Sequence, residues 1–256
     1  MTTETTTTAY ALVGITRGTN LAAMTKTGGY TDDSRLEIIR ANDLAAICTT
    51  IDPAGMTGDR GERNLGDISW LTPRVVRHDE ILAAATDLGP VMPVAFGSVF
   101  SSPESVTERL TRNADAITRF LDKIDAAAEF ALTLAATPEA VRAAEQPKRT
   151  AASGADYLRS KLKRDEPQRS PLADATSTIA ATLRPLALDA VARKIVRAET
   201  DEGHMMLANW AFLVADDGRE AFENAIADEQ ATRRNHGLLL TLTGPWPAYS
   251  FCPSLA

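Results

Sequence analysis

Short apolar runs alternate with helical patterns over the first 136 residues, and this alternation restricts the possible folds more than any other feature of the sequence. Residues 10–15 are rich in strand formers, and the runs 36–39 and 44–51 flank an Asn-Asp pair that favours a tight turn. Residues 91–96 and 127–136 are also strand-like. The order strand, hairpin, helix, strand, helix, strand predicts an α+β domain, a twisted sheet with helices on one face.

Two helices are predicted between these strands. Thr72-Pro73 and Ser102-Pro103 each place a proline directly after a hydroxyl side chain, which is typical of the first residues of a helix. Residues 52–69, which hold several Gly and Asp residues, are predicted to form a surface loop before the first helix. The apolar faces comprise Val75, His78, Leu82 and Ala85 in the first helix, and Val106, Leu110, Ile117, Leu121 and Ile124 in the second.

Residues 104–199 are Ala-rich, charged and nearly free of glycine, as solvated helices are, and the pattern from about residue 138 to 200 predicts helices. A short helix is predicted over 156–164, and its basic cluster is interpreted as a solvated helix face. A longer helix is expected to kink at Pro185. Its apolar face comprises Ile179, Leu183, Leu186, Ala190 and Ile195.

The remaining residues return to strand-like patterns. Strands are predicted over 205–214 and 238–242, with a polar helix between them that is anchored by Phe222 and Ile226. In the final aromatic segment, two prolines argue against membership of a central strand. We therefore predict two domains, a ferredoxin-like α+β domain over 1–137 and a helix-rich α+β domain over 138–256, although the usual first crossover helix of a ferredoxin-like fold is not evident.

Composition excludes several classes of function. The 34 acidic residues outnumber the 27 basic residues, which gives a net charge of −7 and makes nucleic-acid binding a poor fit. No apolar run approaches the ~20 residues that span a bilayer, and the Thr-rich start lacks the pattern of a signal peptide. Cys48 and Cys252 form no metal or redox spacing. The composition predicts a cytoplasmic protein without nucleic-acid or membrane partners.

Candidate catalytic chemistry is sparse. His78, Asp79 and Glu80 carry proton-transfer groups, but consecutive helical residues point in different directions and cannot converge on one atom. His78 lies on the apolar face, so we predict a hydrogen-bonded structural histidine. The three histidines lack helical partners of metal-ligand type, and phosphate-loop and dinucleotide motifs are absent. We predict no catalytic residues, no metal and no cofactor.

Two aromatic, proline-punctuated segments, 90–100 and 243–251, are the most distinctive parts of the sequence. One interpretation is that they are core plugs that fold back over their own domains. The other is that they expose an apolar rim to a protein partner, because Trp, Tyr and Phe dominate many interfaces.

The same segments carry a resemblance that spans nearly the whole chain. The strand 10–15, the pair His78 and Leu82, the run Pro-Val-Ala-Phe-Gly at 93–97 and the ending Leu-Thr-Gly-Pro-Trp-Pro-Ala-Tyr-Ser-Phe at 242–251 are similar to the gas vesicle protein family GvpF/GvpL. The sequence departs from that family at Ala95, where the family often has Arg, and at Ala248, where it often has Pro.

The resemblance implies an accessory protein of gas vesicle assembly, located at the gas vesicle and in the cytoplasm, that contacts the hydrophobic shell protein GvpA and other vesicle proteins. It also implies a modified ferredoxin-like N-terminal domain and an α+β C-terminal domain. We expect shell subunits to bind, without ATP or catalysis, at Phe96, Phe100, Trp246, Tyr249 and Phe251. The alternatives are a small-molecule-sensing regulatory module and an enzyme that uses His78.

Overall fold

Residues 8–17, 21, 24, 28–145 and 170–255 are described by the computed structural model, and the chain divides into two units. Unit 1 contains the chain up to Ala128 and the segment from Trp246 onward, whereas unit 2 is Glu129–Pro245. The division expected near residue 138 left the C-terminal segment with the second domain. In the structure this segment packs within unit 1, where the Cys252 thiol donates to the Pro93 carbonyl at 3.4 Å.

Unit 1 is built on an antiparallel sheet of five strands. The strands are Ala9–Arg17 (β1), Leu36–Ala41 (β2), Leu44–Ile51 (β3), Val91–Pro93 (β4) and Val99–Phe100 (β5). They follow the order β2-β3-β1-β4, and β5 also pairs with β1. The predicted hairpin is confirmed, and Asn42 at its turn has a φ of 52°, a conformation that asparagine tolerates. The edge position predicted for Pro93 is also confirmed.

The helices of unit 1 correct two predictions. They are Gly58–Gly66 (α1), Ile68–Thr86 (α2), Pro103–Arg112 (α3) and Ala114–Lys123 (α4). The surface loop predicted over 52–69 is wrong, because most of it forms α1 and the start of α2. The start predicted at Thr72-Pro73 is also wrong. The Asp67 carboxylate accepts from the Ser69 amide at 2.9 Å and caps α2 earlier, so that Pro73 lies inside the helix.

The second helix start is confirmed, but the helix is divided. The Ser102 and Ser105 hydroxyls each accept from the other's backbone amide at 3.3 Å, which caps α3. At Asn113 the chain leaves α3 and begins α4, and the Asn113 side-chain amide donates to the Arg109 carbonyl at 2.8 Å. The predicted apolar face spans both helices and is buried throughout: Val106, Leu110, Ile117, Leu121 and Ile124.

Unit 2 contains the second sheet, with the order β7-β8-β6-β9. Its strands are Ala127–Ala136 (β6), Asp189–Ala192 (β7), Met205–Ala215 (β8) and Leu238–Trp246 (β9). The strand predicted over 127–136 exists, but we expected it in the first sheet. It lies between β8 and β9 instead, and its Phe130 ring packs on Phe222 with the ring centroids 6.1 Å apart. The edge position of β9 explains how this strand accommodates Pro245.

The helices that the structure describes in unit 2 are Pro138–Glu145 (α5), Pro171–Leu183 (α6) and Arg219–Arg234 (α7). The long helix predicted to continue through Ala190 is wrong, since a 3-10 turn at Arg184–Leu186 follows α6 and Ala190 lies in β7. The anchoring of α7 by Phe222 and Ile226 is confirmed by their burial. The helix predicted over 156–164, its basic cluster and the Thr-rich start lie outside the described residues. The fold is α+β, as predicted.

Candidate partner-binding surface

A buried histidine holds the loop that carries one of the predicted partner-binding aromatics. His78 on α2 is 1% exposed, and its Nε2 lies 2.9 Å from the Val94 carbonyl, just after β4. Its Nδ1 lies 2.7 Å from the Tyr30 hydroxyl. Because a carbonyl can only accept, Nε2 carries the proton and Nδ1 accepts from Tyr30. The ring therefore bridges α2, the residue 30 loop and the β4–β5 loop.

The electrostatics of this bridge favour an uncharged ring. Burial lowers the pKa of His78, although the Val94 carbonyl and Asp79 oppose this effect. Burial also raises the pKa of the Tyr30 hydroxyl, which remains a donor. The predicted hydrogen-bonded structural histidine is confirmed, and it is more deeply buried than we expected. Asp79 and Glu80 are exposed, and Glu80 pairs with Arg77 at 2.8 Å.

Phe96 is half-buried at the tip of the β4–β5 loop, where it completes an aromatic cluster. Its ring centroid lies 5.4 Å from that of Tyr30 and 5.7 Å from that of His78, edge-on in the second case. Gly97 follows with a φ of 92°, a left-handed conformation that favours glycine and turns the chain back toward β5. The cluster thus fixes the position of the loop.

Phe100 is held at the edge of the sheet. It lies in β5 opposite Tyr10 of β1, and its side chain is half-buried. The Arg109 guanidinium of α3 lies 5.9 Å from the centre of its ring, within the range of a cation–π interaction. Arg109 also donates to the Leu255 carbonyl at 3.2 Å, which links α3 to the C-terminal segment.

The C-terminal aromatics are more accessible than those of the loop. Trp246 is 51% exposed and Tyr249 is 39% exposed. Phe251 is half-buried, with the Lys123 ammonium 5.7 Å from its ring centroid. Burial and the carboxylate of Asp79 raise the pKa of Tyr249. This side chain is therefore close to α2.

The structure brings the C-terminal segment alongside β4 and β5. A cavity of about 370 Å³ is lined by residues of both, among them Pro93, Phe100, Cys252 and Leu255. Of the two family departures, Ala95 is exposed on the loop and Ala248 is 4% exposed in the segment. The two segments singled out from the sequence therefore meet within unit 1.

Sequence reasoning missed the polar residues that position these aromatics. Tyr30, Arg109 and Lys123 contact the aromatic side chains or His78 from elements distant in the sequence. Arg109 and Lys123 have the spacing of ordinary polar helix residues, and Tyr30 follows two glycines in a loop without periodicity. No local pattern distinguishes such residues from solvated side chains.

The described residues lack the features of a metal centre and of a membrane-spanning helix. They contain no group of three or more His, Cys, Asp or Glu side chains that could hold a metal ion. None of the helices in the described ranges combines the length and the apolar character needed to cross a bilayer.

A family model described as "Gas vesicle synthesis protein GvpL/GvpF" matches residues 9–253. The chain belongs to the GvpL/GvpF family. It is 24% identical to Gas vesicle protein L2 of Halobacterium salinarum, covering 88% of this chain and 84% of that protein. It is 27% identical to Gas vesicle protein F of a Streptomyces species, covering 93% of this chain and 97% of that protein.

The fold of this GvpL/GvpF family member agrees with solved structures. The crystal structure of GvpF from Anabaena is similar with a TM-score of 0.69 at 15% identity, covering 97% of this chain and 98% of that chain. GvpF from Microcystis aeruginosa has a TM-score of 0.67 at 14% identity, covering 96% and 99% of the two chains. Membership of the GvpL/GvpF family gives the protein a role in gas vesicles.

Proposed function

We propose that this protein supports gas vesicle assembly by binding the hydrophobic shell protein GvpA, without catalysing a reaction. Binding would use the aromatic surface, defined as Phe96, Phe100, Trp246, Tyr249 and Phe251. The observation that carries this choice is the exposure of two large aromatic side chains in one short segment, 51% for Trp246 and 39% for Tyr249. Side chains of this type supply much of the binding energy at protein interfaces.

The aromatic surface combines residues that are fixed by contacts with residues that are exposed, and this combination supports the proposal. Phe96 is fixed by contacts with Tyr30 and His78, and Phe100 is fixed by pairing with β1. These two residues would form a rigid apolar base. Trp246 and Tyr249 retain exposed area that a partner could bury, which would contribute roughly 25 cal/mol for each Å² of apolar surface removed from water.

The chemistry of a shell subunit makes such a surface useful. A subunit with a large apolar face tends to aggregate before it is incorporated, and a surface that covers this face reduces the concentration of the exposed form. Non-covalent binding is sufficient for this task. It requires neither a nucleophile nor a cofactor, so the proposal depends on the apolar side chains alone.

The proposal is tested by co-purification of GvpA with substituted proteins. Trp246→Ala with Tyr249→Ala is expected to weaken GvpA capture and to reduce vesicle yield, while the midpoint of thermal unfolding stays close to that of the unsubstituted protein. The matched control is Ile68→Ala with Val196→Ala, because these side chains are 77% and 88% exposed and lie elsewhere. Capture of GvpA that survives Ala at all five positions in a folded protein would refute this surface.

A further inference from the structure

Unit 1 contains a second concave site that the proposed function does not use. It is a cavity of about 460 Å³ bounded by the loop at residues 30–34, the end of β3, the 3-10 turn Pro53–Gly55, α1 and the start of α2. Ligand sites in proteins commonly have volumes of roughly 300–1,000 Å³. The cavity is therefore large enough for a small organic molecule or for a few residues of a peptide.

Arg74 of α2 lines this cavity. The Arg74 guanidinium lies 4.0 Å from the centre of the Trp70 ring, and Nη1 donates to the Trp70 carbonyl at 2.8 Å. No carboxylate in the described ranges pairs with Arg74. One turn further, Arg77 is fully engaged, since it pairs with Glu80 at 2.8 Å and donates to two loop carbonyls. Arg74 thus keeps donors for a ligand.

The neighbours of Arg74 supply an apolar floor. Trp70 is half-buried against the core of unit 1, while Met56 is 9% and Tyr30 is 7% exposed. The nearby hydroxyl of Ser34 is already committed, because it accepts from the Thr31 amide at 2.8 Å and donates to the Thr31 carbonyl at 2.9 Å. A ligand would therefore meet one cationic fork beside an apolar wall.

The other charged groups of the cavity restrict the charge of the ligand. Asp52 lies 3.5 Å from Arg60, so these two residues offset each other. Asp33 is an additional carboxylate at the rim. Repulsion by these two carboxylates increases with the charge of the ligand, so it disfavours a phosphate with two or more charges more than a carboxylate with one. A single carboxylate also needs only one arginine and fits its fork of donors.

We propose that this cavity binds a singly charged carboxylate carried on an apolar body, with the carboxylate on Arg74 and the body on Trp70 and Met56. Two sources share this chemistry, a free small carboxylic acid and the terminal carboxylate of a peptide chain. None of the five residues of the aromatic surface lines this cavity, although Tyr30 lines the cavity and also contacts Phe96. The test of this site therefore does not depend on GvpA binding.

The test uses the indole N–H resonances of the three tryptophans in a nitrogen-15 correlation spectrum. N-acetyl-leucine and N-acetyl-leucine amide have the same apolar body but differ in the carboxylate. We expect the acid to shift the Trp70 resonance in a saturable way and the amide to shift it much less. The resonances of Trp210 and Trp246, which lie outside the cavity, serve as internal references. Equal shifts with acid and amide, or no shift, would overturn the proposal.

Substitutions then assign the shift to Arg74. Arg74→Gln should lower the affinity for N-acetyl-leucine about tenfold or more, which is the effect of losing a charge-assisted hydrogen bond. Arg74→Lys, which keeps the charge but loses the paired donors of the guanidinium, should lower this affinity less. Arg63→Gln is the matched control, because Arg63 is exposed on α1 and does not line the cavity. Unchanged affinity in folded Arg74→Gln protein contradicts the assignment.

Two further probes decide the ligand class and its source. AMP tests the phosphate alternative, and a stronger shift of Trp70 with AMP than with N-acetyl-leucine would overturn the assignment to a carboxylate. An octapeptide with a C-terminal leucine tests the source. Tighter binding of the octapeptide supports a peptide terminus, and tighter binding of N-acetyl-leucine supports a small acid. Either of these last two results agrees with the carboxylate site.

Discussion

The Tyr30 hydroxyl donates a 2.7 Å hydrogen bond to Nδ1 of His78, and this bond joins a loop near the start of unit 1 to the middle of α2. Both residues are buried: Tyr30 is 7% exposed and His78 is 1% exposed. The other ring nitrogen of His78 donates to the Val94 carbonyl, so both ring nitrogens are engaged in hydrogen bonds within the protein and neither is available for proton transfer to a substrate. The geometry gives His78 a positioning role in the aromatic surface.

We predict that Tyr30→Phe destabilises unit 1 by about 1–3 kcal/mol, because it leaves a buried ring nitrogen without a hydrogen-bond partner. Urea unfolding followed by circular dichroism measures the change. Tyr10→Phe is the control, since no hydrogen bond of the Tyr10 hydroxyl occurs among the described residues, and it should cost less than about 0.5 kcal/mol. Equal losses in the two variants would show that the bond to His78 contributes nothing.

The lowered pKa of His78 predicts a dependence of stability on pH. The folded pKa lies below the ordinary value of 6.5, so well above pH 6.5 the imidazole is neutral in both the folded and the unfolded state, and its contribution to stability is complete. As pH falls from 6.5 toward the folded pKa, only the unfolded state binds the proton. The free energy of unfolding should then fall by up to about 1.4 kcal/mol per pH unit from this group.

Denaturant unfolding between pH 7.5 and pH 5 tests this dependence. His78→Gln should reduce the slope between pH 6.5 and pH 5, even though the substitution also lowers stability at pH 7.5. His236→Gln, at an exposed position after α7, should keep the slope of the unsubstituted protein. A slope that His78→Gln leaves unchanged would assign the pH dependence to other groups.

Local sequence patterns predicted most strands correctly because their signals are local. The hairpin of β2 and β3 has a turn pair between two apolar runs, and the Ser102 cap lies next to its helix. In contrast, α1 has no buried side chain larger than the hydrogen of Gly61, so it carries no apolar periodicity that a sequence could reveal. The Asp67 cap was overlooked because Thr72-Pro73 offered a stronger pattern of the same kind.

The sheet membership of β6 could not be predicted in the same way. Its apolar pattern is compatible with either sheet, and the contacts it makes in the second sheet's unit, such as Phe130 with Phe222, join residues more than 90 positions apart in the sequence. The candidate site also combines features that local sequence reveals with features that depend on the fold. Its aromatics are visible in the sequence, whereas Tyr30 and Arg109 become relevant only through contacts that the fold creates.

Unit 2 contains an ion pair between a buried carboxylate and a half-buried arginine. The Glu129 carboxylate pairs with the Arg193 guanidinium, and the side chain of Glu129 is only 2% exposed. We predict that Arg193→Met destabilises the protein by about 3–5 kcal/mol, because it removes the cationic partner of a buried carboxylate. Arg197→Met is the matched control. Arg197 pairs with Asp201 at the surface, where both side chains are more than three-quarters exposed, and its loss should cost less than about 1 kcal/mol.

Thermal and urea unfolding of both arginine variants measure the difference. Glu129→Gln with Arg193→Met removes both charges and should recover part of the stability lost in Arg193→Met alone. A loss in Arg193→Met no larger than that in Arg197→Met would mean that water or other groups solvate the Glu129 carboxylate. The comparison therefore separates the cost of removing the cation beside a buried carboxylate from the cost of losing any arginine.

Two glycines of α1 offer a matched test of close packing at the wall of the second cavity. A Cβ at Gly61 would lie 2.4 Å from the carbonyl carbon of Met56, which is backbone and cannot rotate away, whereas a Cβ at Gly66 would meet nothing within 4 Å. Both substitutions to Ala gain helix propensity of up to about 1 kcal/mol. We therefore expect Gly66→Ala to be neutral or stabilising in urea unfolding, and Gly61→Ala to be destabilising by about 1–3 kcal/mol through overpacking.

The same pair of variants should differ in ligand binding, since Met56 also forms the floor of the cavity. Gly61→Ala should lower the affinity for N-acetyl-leucine measured at the Trp70 resonance, and Gly66→Ala should leave that affinity unchanged. Equal stability of the two variants would show that the α1 backbone shifts away from Met56 at little cost.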